Sequence, residues 1–304
     1  MSHPPVAAVV IGRNEGARLL ACLDSLAGRV VRIVYVDSGS TDGSAGAARA
    51  RGAEVVDLDL SQPFTAARAR NAGLARLDPA DTPLVQLLDG DCALRDGWLD
   101  RATAFLDARP EVAVVCGRRR ERFPGASVYN RLCDAEWDTP VGAATACGGD
   151  ALVRLAALRA VGGFDDTLIA GEEPDLCLRL RRAGWTVWRL DAEMTWHDAA
   201  IHRLGQWWKR SRRAGHAFAE GAARHGAGPE RHWVRESRRA LAWGCALPLA
   251  ALAAALVSPL GLLLLLAYPA QILRLARRGG FTRHAWQAAA LSVLGKFAEA
   301  QGAL

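Results

Sequence analysis

Two aspartates one residue apart, Asp89 and Asp91, close the apolar run Val85-Gln-Leu-Leu-Asp-Gly-Asp91. A buried strand that stops at paired carboxylates offers hard oxygen ligands at a sheet edge, the donor type that Mg²⁺ and Mn²⁺ take. The same residues also fit a plain strand-to-turn junction, where Asp and Gly are expected. A second acidic group, Glu172-Glu173-Pro174-Asp175, precedes a helical stretch. A helix start rich in acids, with Pro in its first turn, complements the helix dipole. Gly12-Arg-Asn-Glu15 and Asp37-Ser-Gly-Ser-Thr-Asp42 are two further polar clusters that follow apolar runs.

Such clusters have to be held by a sheet. Val6–Ile11, Val30–Val36, Val55–Leu58, Leu84–Leu88 and Val112–Cys116 read as short buried strands, with amphipathic helical spacing at 16–27, 43–51, 64–77 and 96–108. Strand and helix in alternation predict a doubly wound α/β fold with a parallel sheet. Ligands of such sheets lie beyond the carboxyl ends of the strands, where the polar clusters fall. After residue 117 the alternation stops. The basic run Arg118-Arg-Arg-Glu-Arg122 opens a loop-rich stretch through Pro140 and Gly142–Gly149. Helical stretches at 151–160 and 173–183 and a strand-like Trp185–Leu190 follow. No Pro/Gly/Ser linker intervenes, so residues 1–203 are expected to form a single domain.

The net charge of +6 comes from arginine, since Lys209 and Lys296 are the only lysines. That excess fits nucleic acid, an anionic membrane or phosphorylated substrates. Its location decides among them. Leu204–Arg239 interleaves arginine with tryptophan, and residues 240–273 then carry no charged side chain. Such a run exceeds the roughly 20 residues of one span yet falls short of two. Arg235, Arg238 and Arg239 precede it, and Arg274, Arg277 and Arg278 follow it. A hairpin turning near Ser258-Pro-Leu-Gly261 leaves both clusters on the cytoplasmic side. One tilted helix and a buried soluble pair are the alternatives. Expected along the chain are basic amphipathic interface helices at 204–239, a transmembrane or re-entrant hairpin at 240–273, and an interfacial amphipathic helix at 284–304. The last presents Trp286, Ala290, Val293, Leu294 and Phe297 on one face. A membrane partner is therefore expected, and no nucleic acid. The seven cysteines are scattered without zinc-finger spacing, which predicts reduced, mostly buried thiols. The first apolar run, Val6–Ile11, is too short for a signal peptide.

Taken in order, Gly12-Arg-Asn-Glu15, Val36-Asp-Ser-Gly-Ser-Thr-Asp-Gly43, Ala69-Arg-Asn-Ala-Gly73 and Leu88-Asp-Gly-Asp91 resemble the signature of family 2 glycosyltransferases, over roughly residues 6–215. Gly148-Gly-Asp150, Val161-Gly-Gly-Phe-Asp165 and Gly171-Glu-Glu-Pro-Asp175 are similar to that family's acceptor-side motifs. The resemblance implies a GT-A fold, a doubly wound mixed sheet, here with C-terminal membrane-associated helices. It implies an inverting enzyme that uses a nucleotide-sugar donor with Mg²⁺ or Mn²⁺. Asn14, Glu15, Asp37, Arg70, Asn71, Asp89, Gly149 and Asp150 are then the donor-side candidates, with Arg70 aimed at ribose or diphosphate. Asp91 is the candidate for direct metal coordination, Asp89 for sugar or ribose, and His197 for a third ligand. Among Glu172, Glu173 and Asp175, Glu173 takes the position of the usual catalytic Asp, one methylene longer, and Asp175 is the alternative base. Gln206, Trp207, Trp208 and Arg210 resemble the Gln/Arg/Trp motif of processive polysaccharide synthases, with different spacing, and equally suit membrane contact. The expected enzyme adds single sugars to a lipid-linked or membrane-held acceptor at the inner membrane, catalytic domain facing the cytoplasm, in envelope or exopolysaccharide assembly. A nucleotidyltransferase and a non-catalytic nucleotide-sugar-binding scaffold are the alternatives. The first would carry a Gly-rich loop after strand one, where Gly12-Arg-Asn-Glu15 has a single Gly.

Overall fold

The computed structural model describes residues 4–304. The chain divides into two compact units, one ending at Phe123 and resuming over Cys133–Ala200, the other made of Pro124–Leu132 and Ile201–Leu304.

The first unit begins with β1 (Val6–Gly12), α1 (Ala17–Leu26), β2 (Arg32–Asp37), α2 (Ser44–Ala50), β3 (Glu54–Asp57), α3 (Ala66–Leu74) and β4 (Leu84–Asp89). β1 pairs in parallel with β2 on one side and β4 on the other, and β2 pairs with β3. Val6–Ile11 is buried without interruption, as a strand covered on both faces must be. The register sets Asp37 beside Gly12 and Asp89 beside Ile11, so the polar ends of three strands form one edge.

The unit continues with β5 (Cys92–Leu94), α4 (Trp98–Ala108), β6 (Val112–Glu121), α5 (Val128–Glu136), β7 (Gly142–Ala144), β8 (Ala151–Arg154), α6 (Leu155–Ala160), α7 (Glu172–Arg182) and β9 (Thr186–His197). Helix α5 carries the chain from the second unit back into the first. The sheet order is β3-β2-β1-β4-β8-β6-β9-β5, with β7 on β9. The sheet is mixed: β8 lies antiparallel between β4 and β6, and β5 is antiparallel to β9. The sheet is therefore parallel from β3 to β4 and mixed beyond, as the GT-A resemblance implies.

Residues 151–160 are a strand followed by a short helix, because Ala151, Leu152 and Val153 fill the gap between two buried strands. The basic run at 118–122 is largely strand, because its charges have partners. Arg118 meets Asp134 and Asp138 at 3.2 and 3.3 Å, and Arg120 meets Glu193 at 3.0 Å. A register shift between Cys116 and Arg118 falls at Gly117, where a Cβ would meet the Ala192 carbonyl at 2.6 Å. β9 extends to His197, so this residue ends the strand rather than following it.

The second unit is helical: α8 (Leu204–His225), α9 (Val234–Leu241), a π-helical turn Ala242–Ala246, α10 (Leu247–Val257), a 3₁₀ helix Pro259–Leu266, α11 (Ala267–Arg278) and α12 (Arg283–Ala303). α8 and α12 touch backbone to backbone, since a Cβ on Gly215 would fall 1.9 Å from the Glu299 carbonyl. Val234–Val257 and Pro259–Arg278 are each long and apolar enough to cross a membrane, and the chain turns between them at Ser258. Tyr268 Oη donates to the Trp243 carbonyl at 2.6 Å, tying the two legs at one level. Around the turn the apolar surface has no cover: Leu256 and Val257 are each 90% exposed. In α12 the buried stripe is Ala289, Val293, Gly295, Ala298 and Ala300, whereas Trp286 and Leu294 remain exposed. Only Val293 of the predicted apolar face is fully buried, because the close approach of α8 selects small residues.

Candidate functional site

The ends of β1, β2 and β4 build the first wall of a crevice. Asn14 stands at positive φ (57°), its Oδ1 accepting from Thr41 N at 2.7 Å while its own N–H donates to Ser40 Oγ at 2.9 Å. It laces the β1 loop to the β2 loop. Asp37 shapes the second loop: Oδ1 accepts from Tyr35 Oη at 2.9 Å, and Oδ2 accepts from Gly39 N and Ser40 N at 3.1 and 2.8 Å. Both oxygens of this expected nucleotide contact are thus engaged within the protein. Glu15 pairs with Arg18 at 2.6 Å. Burial, then Asp91, pushes the Glu15 carboxyl up.

Asp89 and Asp91 face different partners. Asp89 Oδ1 lies 2.7 Å from Arg70 Nη2, and Asp91 Oδ2 lies 3.1 Å from His197 Nε2. Burial raises both carboxyls. At Asp89 it prevails over Arg70. At Asp91 the His197 hydrogen bond, with Arg18 and Arg119, outweighs it and holds the carboxyl below the usual range. Asp150 is wholly buried behind the pair, with Oδ1 accepting from Asp89 N at 3.2 Å and Oδ2 from Thr195 Oγ1 at 2.9 Å. It positions β4 rather than reaching the crevice. Gly149 approaches so closely that a Cβ would lie 2.7 Å from Asp89 Oδ2. Arg119 was hidden in the basic run: its Nε meets Asp150 Oδ2 at 3.2 Å, while Nη2 is buried without a hydrogen-bond partner. Strand alternation within 118–122 was the one signal that separated it from its neighbours.

The residue types fit a divalent cation. Asp91, Cys92 and His197 present ligand atoms within 4.8 Å of one another. His197, packed edge-on to Trp137 at 4.5 Å between ring centroids, keeps a buried Nδ1 without a hydrogen-bond partner. The carboxylate oxygen suits Mg²⁺ or Mn²⁺, and an imidazole nitrogen beside it tilts the pair toward the softer Mn²⁺.

Helix α3 meets α7 at the same site. Arg70, 3% exposed, spans from Asp89 to Glu172, whose Oε1 is 2.7 Å from Nη1. Its guanidinium braces two carboxylates. Asn71 is turned away from the donor side: Nδ2 donates to the Phe164 carbonyl and to Asp166 Oδ1 at 2.8 and 2.6 Å, and Oδ1 accepts from Phe164 N at 3.0 Å. A side-chain amide satisfies that tight turn with both its donor and its acceptor. Asp175 is held at 2.8 Å by Arg179, which also donates to the Val161 and Gly163 carbonyls. Glu173 Oε1 accepts from Cys147 N at 2.5 Å and from the Cys177 thiol at 3.0 Å. The hydrogen bond from Cys147 lowers the Cys177 thiol, but burial and Glu173 push it up to about 12. Sequence spacing gave no sign of this cysteine pair.

The second unit gives other work to the residues expected at the membrane or acceptor. Gln206 Oε1 accepts from His202 N and Arg203 N at 2.9 and 3.0 Å, closing the start of α8. Trp207 is buried and stacks on Tyr129 at 6.0 Å. Trp208 Nε1 donates to Gln301 Oε1 at 2.8 Å, and Arg210 is partly buried. Both tryptophans make contacts within the helical unit. The arginines that bracket the hairpin, Arg235, Arg238, Arg239, Arg274, Arg277 and Arg278, are exposed.

Residues 8–139 match the family described as Glycosyl transferase family 2. Over 249 residues, 74% of this chain, the sequence is 32% identical to the pre-mycofactocin glycosyltransferase of Mycobacterium tuberculosis, of which it covers 49%. Over 194 residues, 59% of this chain, it is 27% identical to the succinoglycan biosynthesis protein ExoA of Rhizobium meliloti, of which it covers 58%. The chain thus spans about half the length of these curated relatives. Its fold is similar to that of mannosyltransferase PcManGT from Pyrobaculum calidifontis, solved in complex with GDP-Man and Mn²⁺. The TM-score is 0.64 at 23% identity, over 97% of this chain and 88% of that one. That likeness of fold extends through the helical unit.

Proposed function

We propose that this chain, whose residues 8–139 match glycosyl transferase family 2, moves a sugar from a nucleoside-diphosphate donor to an acceptor held at a membrane, with inversion at the anomeric carbon. The observation that carries this reading is the joining of Asp89 to the acids of α7 through Arg70, beside the Asp91–His197 pair. Donor-side and acceptor-side carboxylates then share one crevice.

The β1 and β2 loops laced by Asn14 and shaped by Asp37 receive the nucleotide end. Asp91 and His197 would hold Mg²⁺ or Mn²⁺, which would supply Lewis-acid neutralisation of the departing diphosphate. Asp89, fixed by Arg70 and by Asp150, orients the ribose or the sugar. The orphan Nη2 of Arg119 offers a buried donor to an anionic group. Glu173, with Oε1 held by Cys147 and Cys177, takes the proton of the acceptor hydroxyl at Oε2. The acceptor oxygen bonds to the anomeric carbon as the bond to the diphosphate oxygen breaks on the opposite face.

The exposed apolar turn at Ser258 between arginine-flanked legs supports attachment to the inner membrane from the cytoplasmic side. That attachment supports a lipid-linked acceptor. The relative named for succinoglycan biosynthesis supports an envelope or exopolysaccharide glycan as product. Radiolabelled donor sugars incubated with the full chain, Mn²⁺ and membrane lipid extract test the acceptor class. Label should move into the organic phase. Label recovered only as free sugar would contradict a lipid-linked acceptor.

A further inference from the structure

Cys147 and Cys177 flank the Glu173 carboxylate, and positioning it leaves their sulfur chemistry unused. Their Sγ atoms are 3.7 Å apart, and Cys177 Sγ lies 3.0 Å from Glu173 Oε1. Ligand atoms of all three fall within 4.8 Å of one another. Two thiolates on a tetrahedral ion with metal–sulfur bonds of about 2.3 Å stand about 3.8 Å apart, so these sulfurs, in contact as thiols, would need little movement to close on an ion. Glu173 and Cys177 are one helical turn apart on α7 and share a face. Cys147 comes from the loop after β7, and its partial exposure gives an ion a way in.

We propose that Cys147, Cys177 and Glu173 form a second cation site, for Zn²⁺ or an ion of its thiophilic class. Thiolate donors favour zinc over Mg²⁺ and Mn²⁺, which separates this site from the oxygen and nitrogen donors of Asp91 and His197. Binding displaces both thiol protons to solvent and leaves a fourth position for water. The consequence rests on the transferase reading: an ion here engages the carboxylate assigned as base, so loaded enzyme is inhibited. The binding itself does not depend on that reading.

Cobalt titration of the reduced full chain in excess Mg²⁺ tests the site. A thiolate-to-cobalt charge-transfer band at one ion per chain is expected, erased by competing Zn²⁺. Cys147→Ser and Cys177→Ser should each weaken cobalt binding by on the order of 100-fold, while Cys92→Ala keeps the band. Zn²⁺ should also shield Cys147 and Cys177 of the wild-type chain from alkylation, a readout that does not depend on how the variants fold. No band together with no shielding overturns the proposal. So does a band that survives in both serine variants and is lost in Cys92→Ala. A band and shielding without loss of turnover would keep the site and refute Glu173 as the base.

Discussion

Arg70 Nη2 stands 2.7 Å from Asp89 Oδ1 with the guanidinium almost wholly buried. Because Nη1 also holds Glu172, removing the cation leaves two carboxylates facing each other without compensation. Breaking a buried pair by deleting one partner costs about 3 kcal/mol or more. Arg70→Met should therefore lower the melting temperature sharply and abolish turnover, and Arg70→Lys should recover part of the stability but little activity. Equal melting temperatures for wild type and Arg70→Met would contradict the brace.

Glu173 and Asp175 separate by what their loss damages. Glu173→Gln should lower kcat by about 10²–10⁴ with little change in donor KM, the signature of a lost general base. Asp175→Ala should instead destabilise the fold by about 2 kcal/mol through Arg179 and the Gly163 turn. Steady-state kinetics beside thermal melts distinguish the two, and a large kcat effect confined to Asp175 would reverse the assignment.

His197 supports Asp91 at 3.1 Å. Mn²⁺ binding followed by electron paramagnetic resonance should weaken on the order of 10–100-fold in His197→Ala and vanish in Asp91→Ala. Unchanged affinity in both variants would remove the metal from this edge of the sheet.

Glu54 is held below the usual carboxylate range by the Arg32 hydrogen bond, with Arg76 adding to it. A carboxyl depressed in the folded state contributes stability above its unfolded pKa and loses it as pH falls through the folded one. The Tm gap between wild type and Glu54→Gln should thus be present near about pH 7 and close as pH drops below about 4. A gap that widens on acidification would contradict that sign.

The first four strands and their polar ends were legible because local periodicity and turn residues carry them. Asp89 and Asp91 lie at such a strand end. What escaped depends on distant partners. Arg120 continues a strand because Glu193 answers it 73 residues later, and β8 is a strand because a slot exists between β4 and β6. Asn71 carries a family motif yet closes the Phe164–Asp166 turn. Trp207 shows only an aromatic in a basic run, and its burial follows from Tyr129. Types and order were readable, whereas the direction each side chain faces was fixed by contacts no spacing encodes.

The transferase reading is tested most directly by nucleotide release from a panel of nucleoside-diphosphate sugars, using the purified full chain with Mn²⁺ and membrane lipid extract. One donor should be turned over, with activity lost on chelation and in both Asp91→Ala and Glu173→Gln. Turnover of no donor under any metal condition, or full activity in both variants, would contradict it.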